Sequence, residues 1–93
     1  MHLSQAPDLV GTVTIFDSST ERPLVWVEED PSDPTVNGRG TMKAEISNFF
    51  SLKGRENVRK GCVVRVWYDE SMPILDRYPE IAVAESVALV RCK

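Results

Sequence analysis

The chain has 93 residues, enough for one domain with a modest core. Eleven Lys and Arg stand against fourteen Asp and Glu, a net charge of −3, and the single histidine, His2, removes most zinc sites and every His-dependent triad. No apolar run approaches the roughly 18 residues of a membrane helix, and the short, polar stretch Met1 to Pro7 carries no signal-peptide pattern.

Residues 1–8 read as a loose N-terminal tail. Leu9 to Asp17 then alternates Val13 and Ile15 with Thr12, Thr14 and Phe16, a strand period. Gly11 within that run predicts a bulge or bend. Asp17 to Pro23 is turn chemistry throughout. Leu24 to Glu29 is a second strand, with Val25 and Val27 inward and Leu24, Trp26 and Glu28 outward. Asp30 to Gly40 holds two Asp-Pro pairs and one Asn-Gly, which predicts a loop.

Thr41 to Ser47 alternates Met42, Ala44 and Ile46 with Lys43 and Glu45, a third strand with one wet face. Asn48 to Gly61 is irregular. Asn48 or Ser51 is placed to cap a short helix, and Phe49, Phe50 and Leu52 supply its apolar contacts. Cys62 to Tyr68 is the clearest strand, with Val64, Val66 and Tyr68 on one side and Val63, Arg65 and Trp67 on the other. Trp67 should then face away from the interior and pack beneath the 48–61 connector. Asp69 to Glu80 is a loop with Pro73 and Pro79. Ile81 to Arg91 closes the chain as a strand whose alternation breaks at Glu85-Ser86.

Five strands with a helical piece between the third and fourth predict a mainly β fold, a small five-stranded Greek-key barrel of the OB-like kind spanning 1–93 as one domain. An open five-stranded sheet with one packed helix is the alternative.

Lys60-Gly61, Val64-Arg65-Val66-Trp67-Tyr68-Asp69, Tyr78-Pro79 and Glu85-Ser86-Val87-Ala88-Leu89-Val90 together resemble the YobA-like family of small, uncharacterised bacterial proteins. The likeness is sharpest over 60–90. It extends weakly through Gly11-Thr12-Val13 and Leu24-Val25-Trp26-Val27. It implies an OB-like barrel and no activity. Many members of that family are extracytoplasmic. The acidic, proline-rich loop 30–40 departs from the family pattern, and the compartment stays open.

Catalytic and cofactor chemistry finds little support. Glu28, Glu29, Asp30 and Asp33 form an acidic run, but Pro31 and Pro34 interrupt it and the glycine that a calcium loop requires is misplaced. Cys62 has Lys60 nearby but no histidine to activate it. No serine lies in a nucleophile motif, and Gly38-Arg39-Gly40 is too short for a phosphate loop. A non-enzyme without cofactor or metal is the expectation.

Charge is segregated. Residues 1–38 carry one base against seven acids, whereas 39–65 carry seven bases against two acids. The basic segment also holds Phe49 and Phe50. Single-stranded nucleic acid is bound by such a mixture, here Phe49, Phe50, Arg55, Arg59 and Lys60. The acidity of the whole chain argues against it.

OB-like barrels bind through the outer face of their second and third strands and the loops beside it. Here those parts are Leu24, Trp26, Glu28, Lys43 and Glu45, with loops 17–23 and 69–80. The loops hold Asp17, Glu21, Asp69, Glu70, Asp76 and Glu80 against Arg22 and Arg77. A negative rim suits a neutral or cationic protein, peptide or small ligand. Trp26, Glu28, Lys43, Arg77 and Tyr78 are the candidate binding residues. In the same barrel Cys62 starts one strand and Cys92 ends its antiparallel neighbour. The two are expected to lie close, as thiols or as a disulfide according to compartment.

Overall fold

The computed structural model describes residues 6–30 and 43–92. The strands are β1 (Leu9–Asp17), β2 (Leu24–Glu29), β3 (Lys43–Ile46), β4 (Cys62–Tyr68), β5 (Glu80–Ala82) and β6 (Ala84–Cys92). They form one six-stranded sheet in the order β5-β3-β2-β1-β4-β6. β3 and β5 are parallel and every other pair is antiparallel. Among the described residues the protein is therefore mainly β, with six strands rather than the expected five, and the hydrogen-bonded order has two ends.

Those ends are neighbours in sequence, because only Val83 separates β5 from β6. The expected last strand is split there. β5 pairs with β3 on one flank of the sheet, and β6 pairs with β4 on the other. At the break the Val83 carbonyl accepts from the Asp69 amide at 2.9 Å, a loop contact in place of a ladder bond. Glu85 is a bulge as well: Trp67 pairs with Ser86 and Tyr68 with Ala84, which leaves Glu85 unmatched.

In β1 the bulge is not at Gly11. Gly11 pairs regularly with Glu29 on one side and Val64 on the other. The register instead slips between Val13↔Val27 and Ile15↔Trp26, so Thr14 is the extra residue. The slip reverses the strand's faces. Ile15 now shares the outer face with Trp26, and Phe16, opposite Val25, turns to the core. Gly11 serves a close approach instead: a Cβ there would lie 2.1 Å from the Glu28 carbonyl oxygen.

The core gathers the inward residues of every strand, among them Leu9, Val13, Val25, Val27, Ile46, Val64, Val66 and Val87. Connector residues Phe49, Leu52 and Val58 belong to the same cluster. The helical piece is a single 3-10 turn, Phe49–Ser51, without a side-chain cap. Asn48 is engaged elsewhere, donating to the Ala84 carbonyl at 2.7 Å and accepting from the Ala84 amide at 2.8 Å. Trp67 is buried but falls outside the cluster that holds Phe49 and Leu52. Its burial agrees with the expectation of a covered tryptophan, while the connector residues Phe49 and Leu52 belong to the core cluster.

Part of the expected tail is fastened. Pro7 is buried, the Asp8 amide donates to Val66 at 2.9 Å, and the Asp8 carboxylate accepts from the Tyr68 amide at 2.8 Å. Residues 1–5 and the expected loop at 31–40 lie outside the described residues. Cys62 and Cys92 face each other across β4 and β6 and are joined by a disulfide, with Cα atoms 3.9 Å apart.

Candidate functional site

The alternation of β2 and β3 turns Trp26, Glu28, Lys43 and Glu45 to the outer face. Antiparallel pairing sets Trp26 opposite Glu45 and Glu28 opposite Lys43. Residues so paired have Cβ atoms about 4.5–5.5 Å apart and interact directly. The Trp26 indole Nε1–H donates to Glu45 Oε1 at 3.1 Å. Lys43, diagonal to Trp26, holds its Nζ 5.3 Å from the centre of the Trp26 ring.

The 69–79 loop completes the arrangement. It is folded back by reciprocal backbone bonds between Leu75 and Ile81, and the Tyr78–Pro79 peptide is cis. The Asp69 carboxylate accepts from both the Ser71 amide and the Ser71 hydroxyl, which holds its carboxyl below the ordinary value. At the loop's far end Tyr78 is 74% exposed, and its ring centre lies 5.9 Å from Lys43 Nζ. One ammonium thus contacts two aromatic rings brought from β2 and from a loop fifty residues later. Both distances lie within the roughly 6 Å reach of a cation–π contact. Of the other candidates, Glu28 and Arg77 are exposed on the same strand pair and the same loop.

Two shallow clefts flank this face. Asp17, Arg22, Pro23, Leu24 and Glu45 line one of about 520 Å³, so Glu45 borders both the cleft and Trp26. Thr12, Thr14, Glu28, Glu29 and Asp30 line another of about 360 Å³. Glu29 in the second cleft has its carboxyl held above the ordinary value, first by burial and then by the nearby charge of Glu80.

Sequence reasoning missed two exposed apolar residues of the 69–79 loop. Met72 and Leu75 are exposed apolar residues on the same loop as Tyr78. Their signal was visible as apolar side chains inside a proline-broken stretch, where no strand face exists to bury them.

The basic segment is built differently from a stacking platform. Phe49 is 1% exposed and belongs to the core. Phe16, Phe49 and Phe50 meet edge to face with centres 5.4–6.0 Å apart. Phe49 therefore has no face open to a base, which corrects its place among the candidate stacking residues; Phe50 is half-buried. The Arg59 guanidinium donates to the carbonyls of Glu56 and Val58, Arg55 is half-buried, and Lys60 is exposed.

Among the described residues no group of three or more His, Cys, Asp and Glu side chains is placed to hold a metal ion, and Asp33 of the acidic run lies outside them. No helix among the described residues is long and apolar enough to cross a membrane. No protein-family model, no curated protein and no solved structure matches the chain.

Proposed function

We propose that this chain is a non-catalytic binding module on an OB-like barrel, and that its partner meets the outer face of β2 and β3 together with the 69–79 loop. The partner is a neutral or cationic protein, peptide or small ligand. The observation that carries this reading is the contact of Lys43 with both Trp26 and Tyr78, the latter on a loop that also exposes Met72 and Leu75. Apolar and aromatic side chains left in water on a loop beside a strand face are what a binding surface requires.

The barrel reading takes β5 and β6 as halves of one strand broken at Val83. The two ends of the sheet order then belong to the same strand, and the sheet folds back on itself. The parallel β3–β5 pair and the connector between β3 and β4 support it. The resemblance of residues 60–90 to the YobA-like family supports the same barrel and brings no activity with it. Binding of single-stranded nucleic acid through Phe50, Arg55, Arg59 and Lys60 is the competing reading, weakened by the burial of Phe49.

Nuclear magnetic resonance titration of the chain with a basic peptide, a neutral peptide, an oligosaccharide and single-stranded DNA tests this. The expected result is movement of the Trp26 indole and Tyr78 signals by a peptide or sugar. DNA binding that falls steeply with salt and maps to Arg55, Arg59 and Lys60 would overturn it.

A further inference from the structure

We infer that the space between Trp26 and Tyr78 is a seat for a cation, that Lys43 is its resident occupant, and that the arginine or lysine side chain of a basic peptide displaces it. This inference rests on the binding face proposed above and names the chemistry of its partner.

The geometry begins with Lys43 itself. Its ammonium lies 5.3 Å from one ring centre and 5.9 Å from the other, so a single cation is already within reach of both rings. The hold is weak. Tyr78 is largely in water, and a cation–π contact at such a site is weaker than one shielded from solvent. A lysine stem also keeps more freedom when released. The resident cation therefore costs little to move.

It has somewhere to go. Glu28 stands directly opposite Lys43 in the β2–β3 register. A displaced ammonium meets that carboxylate across the strand pair without leaving the face. Glu45 remains in the seat, with Oε1 bound to the Trp26 indole. Its carboxylate has further acceptor positions for an incoming donor. A guanidinium suits this surround well, since it stacks on aromatic faces and reaches a carboxylate through its fork. The neighbouring cleft, which shares Glu45, carries a second carboxylate, Asp17, against one base, Arg22.

The alternative is that Lys43 contacts the partner directly as a donor. The two schemes predict opposite effects of removing its charge. The test uses the full chain, the variants Lys43→Met and Tyr78→Ala, a short arginine-containing peptide, and the same peptide with glutamine in place of arginine. Binding is read at the Trp26 indole signal. The expected result is roughly two- to fivefold tighter binding of the arginine peptide by Lys43→Met, and loosening of similar size by Tyr78→Ala. The glutamine peptide should show no gain from Lys43→Met. Unchanged or weaker binding of the arginine peptide by Lys43→Met overturns the inference while leaving the binding face in place. No response of the Trp26 indole to either peptide overturns the inference; silence to the oligosaccharide as well overturns the face with it.

Discussion

Asn48 and Ala84 exchange two hydrogen bonds, the Asn48 amide group donating to the Ala84 carbonyl at 2.7 Å and accepting from the Ala84 amide at 2.8 Å. The side chain thus behaves like one more ladder residue. It ties the start of the connector to the first residue of β6, just past the break at Val83. Asn48→Ala leaves both Ala84 groups without that partner. The expected loss is about 1–3 kcal/mol, the cost of stranding half-buried backbone groups. Asn48→Asp keeps the acceptor, loses the donor, and should fall near the upper end of that range. Urea unfolding of the three proteins checks the order.

Gly11 and Gly61 are required for different reasons. A Cβ at Gly11 would overlap the Glu28 carbonyl, which is backbone and cannot step aside. Gly61 has φ +93° with open space around it. Gly61→Ala therefore meets only conformational strain, expected to cost about 1 kcal/mol. Gly11→Ala forces β1 and β2 apart and should cost about 1–3 kcal/mol or more. Thermal unfolding of the two variants should place Gly11→Ala well below Gly61→Ala; equal midpoints would contradict the close approach of the two strands.

The Cys62–Cys92 disulfide fixes the last residue of β6 to the first of β4 across a separation of 30 positions. Its removal frees the end of an outermost strand of the sheet. Reduction, or Cys92→Ser, is expected to cost about 2–4 kcal/mol. The loss should appear first as faster amide exchange along β6, since the free end of a strand opens before the core does. Uniform exchange across all strands after reduction would argue against a local role.

Glu29 provides a pH signature. Burial, with Glu80 adding to it, holds its folded carboxyl above the ordinary value of 4.5. The folded state then binds this proton more tightly than the unfolded state. Below the ordinary value both states are protonated and nothing is lost. As pH rises through that value and past the folded one, the folded state loses stability. Glu29→Gln removes this penalty. It should be more stable than the parent at pH 7, by well under about 1 kcal/mol because the group is largely solvated, and equal to it near pH 3. A difference of the same size at both pH values would assign the effect to packing rather than to charge.

Much of the architecture was legible because strand signals are local. Alternation in 24–29 and 62–68 fixed which side chains share a face, and turn residues bounded most strands within a residue or two. The outer face of Trp26, Glu28, Lys43 and Glu45 followed from that period of two alone.

What the period could not carry was register between distant strands. The slip at Thr14 moves Phe16 from the outer side to the core, and it lies just past Thr12, where pairing with β4 ends and β1 continues on β2 alone. The break at Val83 exists because one stretch of chain serves both flanks of the sheet, β5 on β3 and β6 on β4. Phe49 and Phe50 look alike in sequence, yet the 3-10 turn sends one into the core and leaves the other half-buried. Lys43 meets Tyr78 only because parallel β3–β5 pairing draws the 69–79 loop over the outer face. Composition and alternation act over a few residues and settle which side chains are available. Bulges and long-range pairing settle which of them meet, since each extra residue in a strand reverses every face beyond it.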